Sequence, residues 1–535
     1  MKLTKSMSLQ LKTILFNKNF LFFVFLLVHI LLFNVNKAEW GDSYRMLRAS
    51  EFVRKGAYPE DEKRPPLFPI LLAIRPQSIE PIVWGRSVVL IISILYFLLF
   101  CSFTEKIIKD KRFLLIAKLL FIFNPVLLYW SLRIMSDIPF GFMSFLVLYW
   151  VYLWGKDLDF GKALLLGFLS GLAVFLRFEG YLLAFSAFMG IVLNGITISK
   201  IDLKFKRIFA VIKSNLFNSM VFLFTFIITI LPYIIYKNPL GTSYLEEPSG
   251  RSYDLKMFLI YIVSLTFLFG IIPALYFIGR GYKTFSNFFF KNISFTFFVV
   301  MELGLILLWP AAIPRLFVSI IPILIIPLVL CMKEYFSDKK LHKMFFWLFN
   351  PLIFTLFILG QYFLKLQFLV PQRWWFVLLL IIQIPMIISI YKKNLRIFIS
   401  ILVLNLITWS ISPIYLHKDT FISVKKAADY TLTNLHGTVA YNDVSSVSDW
   451  YLNYMSKGGL LKGHYYNTES KKMLSLEALR SLGADYLLIT NEHNPTMTLD
   501  LSLRPYLEEI TEFRYNINGK VFFTKIIRFN KEYRE

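Results

Sequence analysis

The 535-residue chain has little of what a soluble or secreted globular protein relies on. It carries only two cysteines, Cys101 and Cys331, both in or at the ends of apolar segments. That excludes a disulfide framework and a thiolate set at metal-ligand spacing, and leaves the redox compartment unreadable from cysteine. Charged residues are scarce at 17%, against 57% hydrophobic residues and a mean hydropathy of +0.59, a balance that excludes a soluble globular domain. The histidines His417, His436, His464 and His493 have no ligand-like spacing and read as surface residues, so no cofactor is expected and metal dependence stays open. No small-residue cleavage site follows the first apolar run, Phe20 to Phe33, which is therefore expected to remain as an uncleaved span. There is no internal repeat and no low-complexity segment.

What is present is apolar and aromatic, with 56 Phe. Apolar windows of about 17 to 25 residues fall near 19–36, 81–103, 113–130, 137–155, 163–178, 181–197, 217–236, 257–278, 293–312, 316–332, 344–360, 375–391 and 396–415. The fold class is thus a polytopic α-helical membrane protein of about 13 transmembrane helices. The 58 Lys and Arg against 34 Asp and Glu give a net charge of +24, which in a compact basic domain would suggest nucleic acid. Here the cations are dispersed in short clusters between apolar runs and form no single basic face, so no nucleic-acid partner is expected.

Alternate loops differ in cation content. One set holds the N-terminal lysines, Lys109/Lys111/Arg112, Lys204/Lys206/Arg207 and Lys339/Lys340/Lys343, while the other, beyond the first loop, holds isolated residues such as Arg133, Arg177 and Arg315. The positive-inside rule then puts the N-terminus in the cytoplasm and, with an odd number of spans, the C-terminal segment outside a cytoplasmic (inner) membrane. The chain divides at 415/416. Residues 1–415 form the transmembrane module, with a first outer loop at 38–80 carrying an amphipathic helix from Ser43 to Lys55. Residues 416–535 have mixed polarity and read as a small extracytoplasmic α/β domain. Its expected helices are Ile422–Leu435 and Ser470–Leu482, the second ended by Gly483. Its expected strands are Gly437–Asn442, Ala484–Thr490, Ile510–Ile517 and Lys520–Phe529, the last two joined by Asn518-Gly519.

Charges at the ends of apolar runs are costly and mark function more often than chance. Asp42 follows the first span, Arg133 and Asp137 lie in SLRIMSDIPF, Arg177 and Glu179 in FLRFEGY, and Arg315 in AAIPRLF. Every one falls on the expected outer boundary, where a site at the membrane interface would lie. A transporter or flippase for a lipid-linked saccharide would instead place its charges at the midplane between broken helices. An O-antigen polymerase or ligase would carry key arginines in a large late loop, whereas the largest outer loop here is the first.

The order of these motifs, Asp42 after the first span, RPPLFPILLA from Arg64, S-D-x-P at Asp137, R-F-E-G at Arg177 and I-P-R-L-F at Arg315, resembles the GT-C membrane glycosyltransferases. Protein O-mannosyltransferases and the lipid A aminoarabinose transferase are the members most similar in pattern, over about residues 10–335. Leu316 follows Arg315 where many relatives have Tyr. The resemblance implies transfer of a sugar from a polyprenyl-phosphate donor to a lipid, glycan or protein acceptor, outside the cytoplasm and with inversion. Asp42 matches the first-loop catalytic acid and Asp137 the second acidic position.

The chemistry asks for the same residue types. An acceptor hydroxyl is a poor nucleophile, and a positioned carboxylate that takes its proton contributes roughly 10²–10⁴-fold; Asp42 is the candidate base. A phosphate leaves without a general acid, but needs cations to hold its charge, and Arg64, Arg133, Arg177 and Arg315 are the candidates, with Glu179 in support. Structural readings stand beside these. Asp42 and Asp137 also fit helix caps, Arg177 with Glu179 fits a snorkelling interfacial pair, Arg64 fits a solvated loop cation, and Tyr129-Trp130 fits an interfacial aromatic belt.

Overall fold

In hydrocarbon a backbone can satisfy its N–H and C=O groups only within its own segment, so long apolar runs fold as helices. The computed structural model describes residues 18–155, 157–194, 205–237, 255, 257, 258, 261, 274–309, 314–337, 373–443, 446–455, 461–465, 481, 483–492, 505–517 and 520–530. The helices are α1 (Lys18–Leu32), α2 (Gly41–Arg54), α3 (Leu67–Ala73), α4 (Pro81–Ile107), α5 (Lys111–Ile122), α6 (Pro125–Ser131), α7 (Asp137–Trp154), α8 (Phe160–Leu176), α9 (Gly180–Val192) and α10 (Phe205–Lys237). They continue as α11 (Ala274–Arg280), α12 (Tyr282–Lys291), α13 (Ile293–Leu308), α14 (Ile321–Ser337), α15 (Arg373–Tyr391), α16 (Leu395–His417) and α17 (Ile422–Asn434).

Among the described residues, four helices are long and apolar enough to cross a membrane alone, or up to six if each of two bent pairs is one span. Shorter apolar helices occupy four further expected spans, among them Phe160–Leu176 and Gly180–Val192. The expectation of thirteen spans is thus not established. Window counting assumes one unbroken helix per apolar run, whereas α5 and α6, within the expected span 113–130, meet at a 48° bend; α12 meets α13 at 109°, just ahead of the expected span 293–312. Asn124 makes the first break, because its side chain accepts the N–H groups of Val126 and Leu127 and Pro125 opens the next helix. The expected span at 344–360 lies outside the described residues, and that at 257–278 largely so.

Close helix contacts rest on small residues. Gly167 and Gly171, four apart on α8, face α10, where an added Cβ would run into the backbone of Phe222 and the side chain of Thr229. The first-loop helix α2 follows the apolar period of its sequence, burying Ser43, Tyr44, Met46, Leu47 and Ser50.

The C-terminal strands are β1 (Gly437–Tyr441), β2 (Leu461–Tyr465), β3 (Tyr486–Thr490), β4 (Leu507–Ile517) and β5 (Lys520–Phe529), in the order β2-β1-β3-β5-β4. The pairs β2–β1 and β1–β3 are parallel; β3–β5 and β5–β4 are antiparallel. All four expected strands are present, and β2, whose sequence LKGHY lacks an apolar alternation, is additional. The expected helix at Ser470–Leu482 and the Asn518-Gly519 turn fall outside the described residues, Ser481 excepted; Gly483 has the positive φ, +59°, that a helix-ending glycine takes. α17 packs on β4 and β5 through a face that includes Val424, Ala427 and Ala428.

Candidate active site

α2 starts after Trp40, whose extended backbone supplies no side-chain cap. Asp42 is the second helical residue, so its carboxylate is not a cap and is available to side chains from elsewhere. Two arginines take it. Arg64 donates from Nη2 to Oδ1 at 2.5 Å, and Arg315 from Nη1 to Oδ2 at 2.7 Å. Arg64 lies between α2 and α3 and is anchored by Glu62, which is almost fully buried and accepts from Nη1 at 3.0 Å and from the Arg64 backbone N–H at 3.1 Å. Tyr58 holds the same turn by donating to the Arg64 carbonyl at 2.8 Å. Arg315 sits in the 3₁₀ turn Pro314–Phe317 ahead of α14, its guanidinium 5.9 Å from the centre of the Trp130 ring. Burial alone would push the Asp42 carboxyl up, but the fields of Arg64 and Arg315, with a smaller share from Arg45, outweigh it and hold the group well below the usual carboxylate range.

A second ion group adjoins the first. Arg177, the residue that ends α8, donates from Nη1 to Asp137 Oδ1 at 2.6 Å and from Nε to Glu179 Oε1 at 3.1 Å. Asp137 stands in the first turn of α7, nearly fully buried, after Ser136, whose side chain makes no capping bond; its Oδ2 meets no protein partner. Burial pushes Glu179 up, and Arg177 overrides it and lowers the group overall. Arg315 feels the charges of both Asp137 and Arg177, so the two groups form one electrostatic network built from four loops. Asp42, Asp137, Arg64, Arg177, Arg315 and Glu179 are therefore brought together at one end of the helices.

Arg133 is placed elsewhere. Its wholly buried guanidinium donates to the carbonyls of Ala38 at 2.7 Å and His417 at 2.9 Å and stands 3.8 Å from Glu39. It staples the start of the first loop to the end of α16. Tyr129 and Trp130 are likewise buried, not arranged as a lipid-facing belt. Tyr129 accepts from Trp40 Nε1 at 2.7 Å, and Trp130 lies under Arg315.

No family model matches the chain, and no curated protein matches it. Solved structures do. ArnT, the lipid A aminoarabinose transferase, from Cupriavidus metallidurans superposes with a TM-score of 0.58 when bound to undecaprenyl phosphate and 0.57 in the apo state. Identity is 12%, and the match covers 94% of this chain and 96% or 97% of ArnT. The fold is ArnT-like. The archaeal oligosaccharyltransferase AglB from Archaeoglobus fulgidus, in complex with an inhibitory peptide and a dolichol-phosphate, aligns over 94% of this chain and 73% of its own at 14% identity, with a TM-score of 0.49. The GT-C resemblance carried by the boundary motifs thus holds for the fold.

Within this ArnT-like fold the sequence reading misses two acidic residues of the network, Glu62 on Arg64 and Glu302. Glu302, buried in α13, accepts from the Ser319 hydroxyl at 3.0 Å, leaves Oε2 without a partner, and is close enough to Glu179 and Arg177 to feel both charges. The signal was a carboxylate inside an apolar run, in MELGLILL, where a search confined to span ends does not look. Among the described residues no group of three or more His, Cys, Asp or Glu is arranged to hold a metal ion.

Proposed function

We propose that the chain is a membrane glycosyltransferase that moves a sugar from a polyprenyl-phosphate donor to an extracytoplasmic acceptor, with Asp42 as general base. The observation that carries the reading is the Asp42 carboxylate held between Arg64 and Arg315 at one end of an ArnT-like fold. The donor class follows from ArnT's structure with undecaprenyl phosphate and from the arginine forks, which match a phosphate in shape and charge.

In the proposed reaction the acceptor oxygen attacks the anomeric carbon while its proton passes to Asp42. The bond from that carbon to the phosphate oxygen breaks, and its electron pair leaves with the phosphate. A single displacement of this kind inverts the anomeric centre. Arg64 and Arg315, with Arg177 behind them, hold the charge that leaves. Asp137 and Glu179 keep Arg177 oriented. Arg133 is not part of this step, because two of its guanidinium nitrogens already donate to backbone carbonyls. The site faces outward in this reading, with the N-terminus cytoplasmic; the contacts of α2 with the Trp450–Tyr454 segment support a C-terminal sheet on the side of Asp42.

The test is the mass profile of surface glycans in cells holding the wild-type gene, an Asp42→Asn variant at equal membrane level, or neither. Loss of one sugar mass in both the null and the variant is the expected result. A wild-type profile in the variant would remove Asp42 as base. Accumulation of lipid-linked sugar on the cytoplasmic side in the null would favour a flippase.

A further inference from the structure

Both oxygens of Asp42 already accept from arginines. Arg64 holds Oδ1 and Arg315 holds Oδ2, each at charge-assisted distance, and the two arginines come from different segments, the first loop and the turn before α14. A carboxylate gripped on both oxygens is a weak base, and the fields of the two arginines hold Asp42 far on the ionised side. Yet the same forks are the groups that a phosphate would draw. Each arginine also keeps a second support when it turns away. Arg64 retains Glu62 at 3.0 Å, and Arg315 retains the Trp130 ring at 5.9 Å. Neither is stranded by leaving Asp42.

We infer that Asp42 is masked in the donor-free protein, and that the phosphate of the lipid-linked donor unmasks it by taking over Arg64 and Arg315, so that donor binding must precede proton removal from the acceptor. This rests on the polyprenyl-phosphate reading above. It exchanges one anion for another at the same two guanidinium groups: the carboxylate loses its partners as the phosphate gains them. The donor thereby raises the basicity of Asp42 at the moment an acceptor can use it, and the acceptor alone meets an occupied carboxylate. The order of binding is then built into the ion pairs, with no moving lid required.

Competition between carboxylate and phosphate is measurable without knowing the sugar. Full-length protein in nanodiscs would be titrated with undecaprenyl phosphate, with folding of every variant checked by gel filtration and thermal unfolding. Asp42→Asn removes the competitor, and the expected result is binding tighter by about tenfold. Loss of simple charge repulsion would also tighten binding, so the same substitution is repeated in an Arg64→Gln background, each variant being titrated to saturation. Unmasking predicts that the gain shrinks there to about twofold, because one of the released arginines is gone. A gain unchanged by Arg64→Gln, or no gain from Asp42→Asn at all while the wild type binds, overturns masking and leaves the donor class standing. If folded wild-type protein fails to bind undecaprenyl phosphate, the donor reading and the masking fall together.

Discussion

Two arginine–carboxylate clusters lie at the same end of the helices and are built to opposite rules. In the staple, Arg133 is wholly buried and donates to the backbone carbonyls of Ala38 and His417, while Arg86 donates to Glu39 at 2.7 Å and to the Asn36 carbonyl at 2.8 Å. In the candidate site, Arg64 and Arg315 are about one-fifth exposed and turn to Asp42, itself 27% exposed. Backbone carbonyls cannot leave, so the staple stays fixed whatever binds near it. A side-chain carboxylate reached by water can be replaced at its arginines by another anion. An arginine at the end of an apolar run is therefore a fastener or a ligand site according to what its fork already holds.

The sharpest break of this comparison is in stability. Arg133→Ala leaves the Glu39 charge and two carbonyls buried with less to pair with, and is expected to cost about 3–5 kcal/mol. Asp42→Asn, whose partners reach water, is expected to cost about 1 kcal/mol or less. Thermal unfolding of the detergent-purified variants measures both. Equal losses would mean that the two clusters share one structural role.

Next in size is the effect on transfer. Arg315→Gln removes one of the donors proposed to hold the leaving phosphate and is expected to lower transfer by about 10²–10³-fold. Arg315→Lys restores the charge without the fork and is expected to recover only part of that loss. Glycan addition in cells, at matched membrane levels, reads both. Full recovery by Lys would show that charge alone matters, and would weaken the claim that the fork is shared between Asp42 and a phosphate.

The same contrast explains what could be read from the chain. Asp42, Asp137, Arg177, Glu179 and Arg315 were visible because a charge beside an apolar run is expensive and stands out, and the structure gathers all five with Arg64. Arg133 stood out equally, but no sequence pattern records that its partners are the carbonyls of residues 38 and 417, one of them 284 positions away. Glu302 was passed over because it lies inside its run, and its partner Ser319 comes from the following segment. The long strands β4 and β5 were legible from their own composition. The short β2, with the polar sequence LKGHY, takes its place from pairing in register with β1. Hydropathy averages over a single polar residue, so the bend at Asn124 inside the expected span 113–130 left no mark on the window count.

A smaller effect separates a buried carboxylate beside the C-terminal sheet from those of the site. Glu492 accepts the Phe421 N–H at 2.6 Å and the Ser423 hydroxyl at 3.0 Å, at the start of α17. Burial pushes it up to about 7, against those two hydrogen bonds. Between the ordinary carboxyl value of 4.5 and about 7, the folded chain holds this proton and the unfolded chain does not. Stability therefore falls as pH rises through that window, by up to about 1.4 kcal/mol per pH unit. Thermal unfolding at pH 5 and pH 7.5 should show the decline in the wild type and a flatter profile in Glu492→Gln. Asp42, lowered instead of raised, adds no slope in that range.

The smallest expected change tests whether the C-terminal part merely rests on the first loop or positions it. Arg48, two turns along α2 from Asp42, pairs with Asp61 at 2.7 and 2.8 Å and donates from Nε to the Tyr454 hydroxyl at 3.2 Å. Phe52 and Tyr44 add ring contacts to Tyr454 and Tyr451. Tyr454→Phe removes a single hydrogen bond at a half-buried contact, about 0.5–1.5 kcal/mol, and leaves the Arg48–Asp61 pair and the rings in place. Because Asp42 is held by Arg64 and Arg315 and not by this contact, transfer should fall by less than about threefold. A loss as large as that of Arg315→Gln would show that the C-terminal part, through α2, sets the position of the carboxylate, and the division between fastener and site would then have to include Arg48.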